Sequence, residues 1–159
     1  MKGQIFIFTA IAITLAFFFA LPYFQQEIYL PDTNLYQLEN IAKQYNNWIA
    51  YLSINNYNIL DFGNFVRDNY PNLEFIYLLT ENKTYMIANF FSNNLNITIN
   101  DKNFIINTSS FKESYFQNEI NLTSNFLNFT YIPENNYSGA IFLRINKGTI
   151  KLELLKIFK

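Results

Sequence analysis

Between Ile5 and Leu21 the chain carries a run with no charge, no proline and no glycine. At 1.5 Å per residue a helix over it is about 26 Å long, close to the roughly 30 Å hydrocarbon core of a bilayer. Lys2 lies on its short N-terminal side, and Glu27 and Asp32 are the first charges after it. A cationic flank favours the cytoplasmic side. The expectation is a single-pass transmembrane helix in the cell membrane, N-terminus cytoplasmic, with the long remainder extracellular. Tyr23 and Phe24 fall where an interfacial aromatic belt would lie.

Cleavage chemistry separates three fates for this run. A secretory cut needs small residues just before the site, but Ala20 is preceded by Phe18 and Phe19 and followed by Leu21 and Pro22. An uncleaved anchor is the plain alternative. The third is carried by Lys2-Gly3-Gln4, a positive residue, a glycine and a polar residue placed ahead of the apolar run. This resembles the class III signal peptide of archaeal type IV pilin-like proteins. The resemblance covers about the first twenty residues and implies that a prepilin peptidase cuts between Gly3 and Gln4 and leaves the apolar helix on the mature chain. Ala12, Ala16 and Ala20 recur every fourth residue, so they share a helical face on which other pilin-like subunits could pack closely.

The remaining stretch has the length of one ordinary domain. The chain has no cysteine and no histidine. Disulfides are therefore out, and so are most zinc, copper, iron–sulfur and haem sites and the Ser-His and Cys-His nucleophiles. Eleven Lys and Arg against twelve Asp and Glu create no single-sign field, which argues against nucleic acid as a partner. No cofactor is expected.

Residues 1–24 read as signal-like N-terminus and transmembrane helix, 25–32 as a stalk bracketed by Pro22 and Pro31, and 33–159 as an extracytoplasmic domain. Leu35, Leu38, Ile41, Tyr45, Trp48, Ile49 and Leu52 recur at helical spacing and predict an amphipathic helix over about 34–52. A second pattern through Ile59, Phe62, Phe65, Val66 and Tyr70 predicts a helix over about 58–70, stopped by Pro71. From Leu73 the period becomes two: strands read from Leu73, into Tyr85–Phe91 after a turn at Glu81-Asn82-Lys83, at Leu95–Asn100, Phe104–Asn107, Tyr115–Leu122 and Phe126–Ile132. The cleanest pair is last, Ile141, Leu143 and Ile145, then a turn at Asn146-Lys147-Gly148, then Leu152 inward and Glu153 outward. The expected fold class is thus α+β: the transmembrane helix, two amphipathic helices, then a mainly antiparallel sheet or β-sandwich.

Six Asn-x-Ser/Thr sequons begin at Asn82, Asn96, Asn107, Asn121, Asn128 and Asn136, against about 2.7 expected from composition. They are candidate N-glycosylation sites, with Asn82 and Asn136 foremost because turns are accessible. Polar-out alternation in an Asn-rich strand makes the same pattern without a glycan. Asp61-Phe62-Gly63 matches a kinase magnesium tripeptide but lacks its companion motifs. Asp61 and Asp68, seven apart on one helix, are the nearest approach to a carboxylate pair and read as a solvated face. No enzyme is expected. The sequence supports a membrane-tethered pilin-like surface protein with a structural or adhesive outer domain, or else a monomeric anchored binding module.

Overall fold

The computed structural model describes residues 33–52, 54, 58–148 and 150–159. The chain divides into two units, Met1–Pro31 and Asp32–Lys159, and the described residues all belong to the second. The span expected over Ile5–Leu21, and with it Gly3, Gln4, Ala12, Ala16 and Ala20, lies outside the described residues. Among the described residues no helix is long and apolar enough to cross a membrane.

Among the described residues two helices come first, α1 at Thr33–Leu52 and α2 at Leu60–Asn69. Nine strands follow: β1 Leu73–Glu81, β2 Thr84–Asn89, β3 Leu95–Ile99, β4 Lys102–Ile106, β5 Ser110–Tyr115, β6 Ile120–Thr123, β7 Asn128–Tyr131, β8 Tyr137–Lys147 and β9 Ile150–Phe158. They form a five-stranded sheet, order β5-β2-β1-β8-β9, and a four-stranded sheet, order β4-β3-β6-β7, with every pairing antiparallel. The expected α+β class with its membrane helix is corrected by this architecture. The described fold is mainly antiparallel β in two sheets, with two short helices.

The reason lies in β1. Sequence alternation leaves open which of its faces is covered, because Phe75, Tyr77 and Leu79 alternate with Ile76 and Leu78, all apolar. Both faces are covered. Phe75, Tyr77 and Leu79, with Met86, Ala88, Ile141, Leu143 and Ile145, pack under the helical residues Leu38, Ile41, Tyr45, Ile49, Phe62 and Val66. Ile76, Leu78, Tyr85, Ile87 and Phe142 pack instead on Ile97, Ile99, Ile106, Ile120, Leu122 and Tyr131 of the four-stranded sheet. A sheet apolar on both faces needs a layer on each side, and the order is helices, five strands, four strands.

Two glycines set the helix–sheet distance. A Cβ on Gly63 would stand 2.0 Å from the Phe90 ring, so α2 approaches that ring only because the position has no side chain. Here the Asp61-Phe62-Gly63 tripeptide is a packing device. A Cβ on Gly139 would meet the Leu78 carbonyl and the Tyr45 hydroxyl, each at 2.6 Å, where Tyr45 donates to that carbonyl at 2.8 Å. Tyr77 likewise donates to the Ile59 carbonyl at 2.5 Å. Burial pushes both phenols above the ordinary tyrosine range, because a phenolate in the apolar layer would lose its hydration.

One expected strand is redrawn. The stretch read as Tyr115–Leu122 is the end of β5 and the start of β6, which belong to different sheets. The edge strand β5, Ser-Phe-Lys-Glu-Ser-Tyr, buries no side chain and so shows no alternation to read. Chain passage between sheets is secured by Asn89, a fully buried side chain that donates to the Ile106 carbonyl at 2.9 Å and accepts from the Phe91 N–H at 2.8 Å. A buried amide satisfied on both sides costs little and fixes register.

Candidate functional site

The outward face of the four-stranded sheet follows from its strands' alternation. Asn96-Ile97-Thr98, Asn121-Leu122-Thr123 and Asn128-Phe129-Thr130 each turn the middle residue toward the core and the flanking pair outward. Antiparallel register then sets Asn103, Thr98, Thr123 and Asn128 in one row across the strands, and Asn121 opposite Thr130 in the next. Thr98 donates to the Asn103 amide oxygen at 2.6 Å, Thr130 to that of Asn121 at 2.7 Å and Thr123 to that of Asn128 at 3.4 Å. The sequons at Asn121 and Asn128 are thereby reciprocal, each threonine bonding the other's asparagine. The Asn121 amide is oriented by its neighbour, since its Nδ2 donates to Glu119 Oε1 at 3.0 Å.

A cleft of about 680 Å³ opens beside this face, between the β3–β4 turn and the link from β5 to β6. Its walls include Asn100, Asp101, Tyr115, Asn118, Glu119 and Asn121. Asn100 and Asp101 both hold positive φ, at 46° and 65°, the mirror-turn geometry in which Asp is less at ease than Gly. Three bonds fix Asn100: its N–H to the Asn121 carbonyl at 3.1 Å, its Nδ2 to the Glu119 carbonyl at 2.9 Å, and its Oδ1 accepting the Asn121 N–H at 2.7 Å. The turn and the link are thus a single hydrogen-bonded unit. Tyr115, at the end of β5, is 76% exposed, a large ring held in water. Burial raises the phenol of Tyr85 at the back of the cleft, against the bond to Ser114 that lowers it, so it stays protonated.

A second cleft of about 700 Å³ runs past Asn46, Asn136 and Ser138, and its charges are spent on each other, Lys159 Nζ lying 2.7 Å from Glu134 Oε1. Asp61 edges a smaller apolar hollow with Trp48, Phe62 and Phe65. Asp68 does not line it and sits 3.6 Å from Arg67, so the two aspartates do not converge. Among the described residues there is no cluster of three acidic side chains suited to a metal.

All six sequon asparagines are exposed. Asn82 has φ 54° in the β1–β2 turn and donates its N–H to the Asn136 carbonyl at 2.8 Å, so the two foremost candidates sit side by side. Ser138, the hydroxyl of the Asn136 sequon, is fully buried against Thr80 at 2.6 Å. Asn107 follows β4 and its carbonyl accepts from Ser110 at 2.8 Å. The reversed pattern Ser/Thr-x-Asn, which no glycan requires, occurs five times, beginning at Ser53, Thr80, Ser92, Thr98 and Thr123. Polar residues two apart thus occur in both orders in this Asn-rich chain.

Sequence reasoning missed Tyr115, Glu119 and the Asn100–Asp101 turn, because the cleft exists only where two sheets end together. It also missed Arg144. This side chain, 12% exposed, lies over the rings of Phe91, Phe126 and Phe142 at 5.0, 4.7 and 5.4 Å and meets Glu153 at 2.8 Å. No protein-family model, no curated protein and no solved structure matches the chain.

Proposed function

We propose that this chain is a membrane-tethered, type IV pilin-like surface protein whose folded domain serves an adhesive or structural role outside the cell. The single observation that carries this is the placing of Lys2-Gly3-Gln4 directly before the apolar run Ile5–Leu21. Insertion follows from the run, and processing by a prepilin peptidase from the small residue at the cut. The domain at Asp32–Lys159 supports the reading by what it displays: a hydrogen-bonded polar sheet face and an open cleft beside it. A monomeric anchored binding module is the second reading, favoured by a domain whose central sheet is already covered on both faces.

Mass spectrometry of the native protein tests the proposal. A mature chain beginning at Gln4 is expected, and Gly3→Val should block that cut while leaving the protein in the membrane. An intact Met1 or a cut near Ala20 overturns the pilin-like reading. Recovery in sheared filaments selects the assembled form, and recovery in membranes alone selects the monomeric one.

A further inference from the structure

We infer that the outer face of the four-stranded sheet, with the cleft at Tyr115 and Glu119, binds a neutral glycan; this rests on the surface display proposed above. The rows Asn103-Thr98-Thr123-Asn128 and Asn121-Thr130 carry no charge, so an ionic polymer finds nothing on them to pair with. Nor is the face apolar: among the described residues its exposed large hydrophobics are Ile105, next to Asn96, and Ile132, just past the end of β7. What it offers is neutral hydrogen bonding.

The polarity of those bonds is already set. Each of Thr98, Thr123 and Thr130 gives its proton to an asparagine carbonyl, which turns the hydroxyl oxygen into an acceptor for an incoming group. The Nδ2 groups of the same asparagines are donors. Across the first row the order is donor, acceptor, acceptor, donor at strand spacing, and a polyhydroxylated ligand, whose every hydroxyl both gives and takes, can meet each of them. Because the protein side chains hold one another, little rotamer entropy is lost on binding.

The cleft supplies what the face lacks. Tyr115 presents an exposed ring on which the C–H face of a sugar can lie, excluding water from both. Glu119 is held through Oε1 by Asn121, leaving its other carboxylate oxygen for a sugar hydroxyl. With Asp101 and Glu119 on the wall and Lys102 the only cation among the described residues that line it, an anionic ligand is disfavoured.

The test uses the full chain in detergent with cello-, malto-, manno- and chitotetraose as neutral probes, and tetragalacturonate and tetralysine as charged ones, followed by saturation-transfer NMR and calorimetry. At least one neutral tetrasaccharide should bind below about 10 mM, with affinity unchanged by salt. Tyr115→Ala should weaken it by about tenfold or more at unchanged melting temperature, and Tyr36→Ala, on the helical layer, should leave it intact. The inference is overturned if no neutral probe binds, if only a charged one does, if Tyr36→Ala matches Tyr115→Ala, or if native Asn96, Asn121 and Asn128 carry covalent glycans that cover the face. The N-terminal mass of the same sample separates the two claims: a chain starting at Gln4 without sugar binding removes the glycan site alone. Sugar binding by a chain with Met1 intact removes the pilin-like processing alone.

Discussion

The two sheets share one apolar interface and differ in what their other faces meet. In the five-stranded sheet β1 buries side chains on both faces, one under the helices and one on the other sheet. In the four-stranded sheet β3 and β6 alternate strictly, one face in the core and the other in water. The difference teaches that stability resides in the five-stranded sheet, while the outward face of the four-stranded one is free to be shaped by what it meets.

The sharpest way to break that comparison is to empty both faces of β1. Leu79→Ala, toward the helices, and Leu78→Ala, toward the other sheet, should each cost about 2–5 kcal/mol in denaturant unfolding. A near-neutral Leu78→Ala would mean that the two sheets do not share a packed core. Next comes Gly63→Ala, whose Cβ collides with Phe90 and should cost about 1–3 kcal/mol. Shortening the ring with Phe90→Leu in the same chain should return part of that loss, as a double-mutant cycle would record.

Glu153 gives a smaller effect with a pH signature. Alternation alone makes it an outward residue whose change to Lys should pass within about 0.5 kcal/mol. In the fold it meets Arg144 and Lys151, each at 2.8 Å, and Arg144 in turn covers three phenylalanine rings. Glu153→Lys should therefore cost about 1 kcal/mol, discounted because the carboxylate is 35% exposed. Partial burial pulls the Glu153 carboxyl up, but its bonds and charges with Lys151 and Arg144 outweigh that and leave it below the ordinary value. A carboxylate lowered by folding contributes stability above its unfolded value and loses it as pH falls through the folded one. The difference in melting temperature between wild type and Glu153→Gln should accordingly be full near neutrality and shrink under acid.

Smallest of all is Thr130→Val on the outward face, which removes one exposed hydrogen bond and should stay within about 0.5 kcal/mol. A loss as large as that of Leu78→Ala would show that the polar rows hold the sheet together.

Much of the fold was legible because local periodicity reports burial on one side. Of the stripe that predicts helix α1, Leu38, Ile41, Tyr45, Ile49 and Leu52 are buried, Trp48 is partly buried and Leu35, in the first turn, is exposed; the hairpin of β8 and β9 follows from the alternation of Ile141, Leu143 and Ile145. The outward set Asn96, Asn121 and Asn128 was read the same way. Where periodicity is silent, the reading failed. β5 is an exposed edge strand with no apolar face, and the change of sheet across residues 116–119 leaves no mark in local sequence.

By itself the sequence determined the apolar run, the exclusion of histidine and cysteine chemistry, and the faces of those elements that bury one side only. Tertiary structure alone decided that β1 has a layer on each face, that Gly63 exists for Phe90, that Glu153 holds Arg144, and that Tyr115, Glu119 and the Asn100–Asp101 turn share one cleft. Periodicity is a property of neighbours along the chain, within one element. A layer, a close approach or a cleft is a property of elements distant in sequence, fixed only when their surfaces are packed together.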